Sequence, residues 1–168
     1  MIFKKSQNIL TILIDQEDLT FCSWIASNDK FTFQAFYQYK LEHEIINLRI
    51  FNHTKIENII DSFLIENKID DPQVYVSFDR RLTEEFICSE TERALIFQYQ
   101  LMFIKLKLNL VKISTDVTDF KNNNVNSINF DFEKYIINND AIKGLDKLML
   151  IKSVALFIEA PFALSERK

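Results

Sequence analysis

A single glycine, Gly144, serves a chain of 168 residues, alongside two prolines, Pro72 and Pro161, and two cysteines, Cys22 and Cys88. The shortage of glycine excludes several functions together. A G-x-G-x-x-G dinucleotide loop, a Walker phosphate loop and a G-x-S-x-G nucleophile elbow all need glycine, either for close backbone approach to a ligand or for positive φ. The cysteines lie far apart and form no C-x-x-C pair, so no disulfide framework is expected and a reducing compartment fits. No run reaches the roughly 18 apolar residues of a membrane-spanning helix. The apolar stretch over 9–14, behind a basic touch at Lys4 and Lys5, is too short for a signal-peptide core and ends on acids. A cytoplasmic protein is the expectation. With 20 Lys and Arg against 24 Asp and Glu, the net charge is −4. That balance disfavours nucleic acid and anionic membranes as partners, because phosphate affinity comes mainly from cations.

What the chain does have is core-forming material. Apolar residues make up 48%, among them 16 Phe, 5 Tyr and 1 Trp, enough to build one domain over 1–168. The near-continuous apolar run 9–14, ending at Asp15, reads as a strand buried on both faces. Residues 19–26 form a second strand, with Leu19, Phe21 and Ile25 on one face and Cys22, Trp24 and Ala26 on the other. Phe31, Phe33, Ala35, Tyr37 and Tyr39 alternate with polar residues and make a third, completing a meander. Thr54-Lys55-Ile56-Glu57 has the form of a capping box, opening a helix whose Ile56, Ile59, Ile60, Phe63 and Leu64 share a face. After Pro72 comes a short apolar strand, 74–78, ending at Asp79. A strand that follows a crossover helix is expected to lie parallel to the first.

Beyond Asp79 the pattern predicts a short strand at 86–88, then a second capping box, Ser89 to Glu92. That box opens a helix with Ala94, Phe97, Leu101 and Ile104 inward. A strand from Lys105 to Ile113, a polar loop at 122–126 and a strand over 128–133 follow. The last element is a helix from Leu145 to Ala160, apolar almost all round, which calls for deep burial or a covering partner.

The β-β-β-α-β order over 9–79, with Asp15 closing the first strand, resembles the opening of the ribonuclease H-like and actin-like superfold. Its layout is most similar to the N-terminal actin-like part of pilus-assembly and type II secretion proteins (the PilM/GspL group). The resemblance implies an α/β fold, a mixed sheet with flanking helices, in which 80–168 add strands and helices to the 9–79 core. It also exposes a departure. Where the family's first turn is Asp-Ile-Gly followed by small hydroxyl residues that hold phosphates, this chain has Asp15-Gln16-Glu17-Asp18. Three carboxylates repel a triphosphate unless a metal intervenes. The chain is also about half the length of a two-lobed actin-like protein, the size of one lobe.

These features lead to two readings. The first is a scaffold or interaction domain of actin-like ancestry, expected not to be an enzyme, serving a pilus or secretion-type complex. It binds no cofactor and reaches a protein partner or a second copy through a sheet edge or the helix from Leu145 to Ala160. The alternative is a nuclease using Mg²⁺. Asp15, Glu57 (or Asp61) and Asp79 occupy the places where nucleases of the superfold converge acids on two metal ions. Against it stand ordinary uses for each acid: Glu57 in the capping box, Asp15 opening a turn, Asp79 beside Arg80 and Arg81. His43 and His53 lack zinc spacing, and Cys22 inside an apolar strand reads as core. Lys105, Lys107 and Lys112 read as a solvated strand face.

Overall fold

The computed structural model describes residues 6–28, 30–79, 92–114, 136–137, 142–145, 149–150 and 153–154. The apolar run becomes strand β1 (Gln7–Ile14), at the centre of a sheet that has six strands among the described residues. It is apolar on both sides because both sides are covered. Leu10, Ile12 and Ile14 enter one core, while Ile9 enters another on the opposite face. β2 (Asp18–Ser27) and β3 (Lys30–Lys40) complete the antiparallel meander.

Strict alternation in β3 does not survive folding. Ser23 pairs with Ala35 but Trp24 with Phe33, so Gln34 is an extra residue in a β-bulge. The bulge switches faces. Phe31 and Phe33 join Trp24 in one core, whereas Ala35 and Tyr39 join Leu19 and Phe21 in the other. The displaced Gln34 amide is put to use: its Oε1 accepts from Ser23 Oγ and its Nε2 donates to the Asn67 carbonyl.

A small hairpin of β4 (Ile45–Ile46) and β5 (Arg49–Ile50) follows, with Asn47 and Leu48 both at positive φ in its turn. Helix α1 (His53–Glu66) begins two residues earlier than the capping box implied. Asn52, not Thr54, is the cap, its side chain accepting from the Lys55 N–H at 3.0 Å. β6 (Gln73–Phe78) then lies parallel to β1, as the crossover argument required.

Helix α2 (Glu92–Lys105) reverses the sequence reading. Leu95, Tyr99, Met102 and Phe103 are buried, while Ala94, Phe97, Leu101 and Ile104 are exposed. The helix is apolar on two faces, so periodicity alone offers two choices. Polar anchors decide between them. Gln98 accepts from Ile50 N–H and donates to the Leu48 carbonyl, both at 2.9 Å, and the Tyr99 hydroxyl donates to the same carbonyl at 2.8 Å. Those bonds turn the Leu95–Tyr99 side to the sheet and the Phe97 side away.

The strand expected from Lys105 starts later. α2 runs through Lys105, and β7 (Asn109–Ser114) pairs parallel with β6. A two-residue β8 (Ile136–Ile137) beside β3 had no sequence signal. Both helices end in the same way. The Ile69 N–H bonds to Leu64 O and the Leu108 N–H to Phe103 O, with Lys68 and Lys107 at positive φ between them. This is the Schellman closure, with lysine where glycine is usual. Relief of that strain is measurable. Lys68→Gly is expected to raise stability by about 0.5–1 kcal/mol in urea unfolding, despite the added backbone freedom of the unfolded chain.

The sheet order is β7-β6-β1-β2-β3-β8, with β2 antiparallel to β1 and β3, and β6 and β7 parallel to β1. Through β7-β6-β1-β2-β3 this is the ribonuclease H-like, actin-like arrangement, a mixed α/β sheet. Helices α1 and α2 cover one face, and Leu150 and Val154 lie against the other. Expected elements at 86–88, 122–126 and 128–133, the second capping box before Glu92, and the stretch 155–160 of the last helix lie outside the described residues.

Candidate functional site

In open α/β sheets ligands gather beyond the carboxyl ends of the parallel strands. Here those ends carry Asp15 and Asp79, which follow the paired residues Ile14 and Phe78. The Asp79 N–H continues the ladder to Ile14 O at 2.8 Å, so the two acids sit on adjacent strand ends. The β1–β2 turn is tightly held. Asp15 N–H bonds to Asp18 O at 2.9 Å, the Asp15 carboxylate accepts from the Gln16 N–H, and Leu41 N–H bonds to Glu17 O at 2.7 Å. Asp15 thus shapes its own turn, the ordinary use for aspartate at that position.

The third acid of the nuclease constellation is engaged elsewhere. Glu57, buried, receives the Lys105 ammonium from α2 at 2.9 Å. With Asn52 as the cap, this ion pair replaces the capping role expected of Glu57. Asp61 is exposed on α1. Among the described residues no group of three or more His, Cys, Asp or Glu is placed to hold a metal ion. His43 and His53 are accordingly not part of one. Cys88 lies outside the described residues.

The most enclosed polar cluster belongs to the opposite face. Ser153 Oγ accepts from Trp24 Nε1 at 2.8 Å and shares a hydrogen bond with the Thr11 hydroxyl, which also donates to the Cys22 carbonyl. Burial pushes the Cys22 thiol up to about 12, only partly countered by hydrogen bonds from Ser153 and Thr11. A thiol held neutral is neither nucleophile nor metal ligand. In native protein at pH 8, peptide mapping after iodoacetamide is expected to find Cys22 unmodified, and modified once the chain is unfolded in urea. A second buried group, Glu44, is also structural. Burial raises its pKa, but bonds from the Tyr39 hydroxyl at 2.6 Å and the Glu42 N–H outweigh that, and the net shift is downward.

What remains is the outer face of α2. Phe97, Leu101 and Ile104 are 56%, 48% and 70% exposed, at the i, i+4, i+7 spacing of one helical stripe. The stripe spans about 10 Å along the helix axis. Beside it lies a shallow hollow lined by Arg93, Ala94, Ile96, Phe97 and Gln100. Sequence reasoning found these residues but assigned them to the core. The signal that could have corrected it is Gln98, a polar residue in the middle of the helix beside Tyr99. Glutamine there asks for a buried backbone partner or solvent, and the hairpin supplies the partner. The β7 edge is a poorer docking surface. Val111 is an extra residue in a bulge opposite Val74 and Tyr75, and bulges break edge pairing. Of the expected terminal helix, Leu150, Ser153 and Val154 are buried within the chain itself. Among the described residues no helix is long and apolar enough to cross a membrane.

No family model matches the chain, and no curated protein matches it. Solved structures do. Two structures of Aquifex aeolicus Ppx/GppA family members, one described as a phosphatase of the type II variant, match at 9% identity with TM-scores of 0.43 and 0.41. They cover 70% and 66% of this chain and 38% and 36% of their own. A third, of the Aquifex aeolicus PPX-GPPA enzyme, matches at 7% identity with a TM-score of 0.39, covering 66% of this chain and 36% of that one. The chain therefore spans little more than a third of the length of these phosphatases. At such identity and TM-score the likeness transfers no activity, and the fold assignment rests on the sheet order. It does correct one expectation. The chain was expected not to be an enzyme, yet the solved structures it matches are of phosphatases, and that expectation no longer stands. The same structures speak for neither the PilM/GspL group, a pilus or secretion role, nor a nuclease.

Proposed function

We propose that this chain is a docking lobe of actin-like ancestry that binds another protein through the outer face of α2. The observation that carries the reading is the stripe Phe97, Leu101 and Ile104, three large apolar side chains exposed together on a well-formed helix. Scattered exposed apolar residues are ordinary, but an aligned stripe is the form in which helices are recognised in grooves and at interfaces. The setting we propose is a multiprotein machine of the pilus-assembly or secretion kind, on the layout shared with the actin-like part of those proteins. Association and catalysis are compatible.

The test is size in the native extract. The tagged protein is expected to elute within a larger complex, and the variant Phe97→Ser/Leu101→Ser at the size of the 19.9 kDa chain alone. Equal elution of the two, with equal thermal stability, would contradict the reading.

A further inference from the structure

The docking face also has a charge. α2 opens on Glu92, and from Arg93 through Ser114 the chain contains Arg93, Lys105, Lys107 and Lys112 and no further Asp or Glu, although the whole chain carries an excess of acids. Arg93 lines the same hollow as Phe97, at one end of the stripe. Lys107 lies just past the other end, in the turn that closes α2. Lys105 is partly neutralised by Glu57. The apolar stripe is thus bracketed by two cations, Arg93 and Lys107, with no carboxylate among the intervening residues.

Resting on the docking reading above, we infer that the partner element is an amphipathic helix whose apolar stripe is flanked by acidic residues. A second helix laid along α2 meets all three anchors with one apolar stripe of its own. Charge complementarity then selects acids on its flanks, where they steer encounter and reject basic competitors. The same charges exclude a second copy of this face. An antiparallel pair of α2 helices sets Arg93 of one against Lys105 and Lys107 of the other, and a parallel pair sets Arg93 against Arg93. Either way Arg93 of one copy is set against a cation of the other, an arrangement that costs affinity.

The experiment uses two labelled synthetic helical peptides with one leucine stripe, flanked by glutamates in one and lysines in the other, titrated by fluorescence anisotropy. Vesicles of phosphatidylserine and phosphatidylcholine form a third arm. The Glu-flanked peptide is expected to bind at least ~10-fold more tightly than the Lys-flanked one, and to lose that advantage at high salt. Arg93→Glu/Lys107→Glu is expected to reverse the order, and Phe97→Ser to weaken the Glu-flanked peptide by about 10-fold or more. Failure of the Glu-flanked peptide to bind, equal binding of both, an order unmoved by charge reversal, or binding to vesicles alone would each overturn the inference. A peptide preference that follows charge but ignores Phe97→Ser would instead overturn the docking reading on which it rests.

Discussion

Phe103→Ala is expected to destabilise the protein by about 3–5 kcal/mol, while Phe97→Ala, six residues earlier on the same helix, is expected to change stability by no more than about 0.5 kcal/mol. Phe103 is 1% exposed and packs in the core beneath α1 and α2. Its removal leaves a cavity among residues that α2 and β6 hold in place, where Phe78 and Tyr99 already meet edge to face at 5.0 Å. Phe97 has little to lose on truncation, since over half of it already faces water. The pair is a sharp test of helix orientation, because sequence periodicity alone would exchange the two effects. Chemical unfolding of both variants, with unchanged m-values, measures it.

The second large effect concerns the opposite face. Ser153→Ala removes the hydroxyl and little else, leaving the Trp24 N–H and the Thr11 hydroxyl in an enclosed site with one partner fewer. Thr11, Trp24 and Ser153 are all fully buried, so water does not replace the lost bonds. A loss of about 1–3 kcal/mol is expected, the penalty for a buried donor left unmade. The measurement is built into the chain. Trp24 is its single tryptophan, and native emission should shift when its N–H loses Ser153. An unchanged spectrum together with unchanged stability would mean that the Ser153 segment does not rest on the sheet as described.

The parts of the fold that were legible in the sequence share a physical reason. β1, α1 and β6 are each fixed by one dominant pattern: an apolar run covered on both faces, a single amphipathic stripe, and a crossover that permits one handedness. The parts that were not legible depended on a residue whose partner lies far away. Gln34 reads as one more polar position until its bulge shifts β3 by one place. Gln98 and Tyr99 decide the orientation of α2 only because the carbonyl of Leu48 lies above them. Glu57 has the spacing of a capping box, and nothing local shows that Lys105, 48 residues on, will claim its carboxylate. Of the acids read as a candidate site, neighbouring strand ends bring Asp15 and Asp79 side by side. The docking stripe was visible as residues and misplaced as a surface, because an apolar helix with two good faces does not say which one meets water.

The scarcity of glycine has a structural consequence beyond the motifs it removes. Asn28, His43, Asn47, Leu48, Lys68, Asp71 and Lys107 all adopt positive φ. Each costs backbone energy that glycine would not, and tertiary contacts must hold it. Leu48 is the clearest case. It is buried in the core, and its carbonyl is clamped by both Gln98 and Tyr99. The hairpin and α2 therefore form one rigid unit, and rigidity behind an exposed stripe lowers the entropy lost when a partner docks.

The most direct test of the central claim is photo-crosslinking in the native cell, with a photoreactive amino acid replacing Leu101 on the outer face of α2 or Glu66 at the exposed end of α1. The docking account expects a discrete adduct heavier than the chain from position 101, competed by the Glu-flanked peptide, and none from position 66. No adduct from position 101, or equal adducts from the two positions, would contradict it.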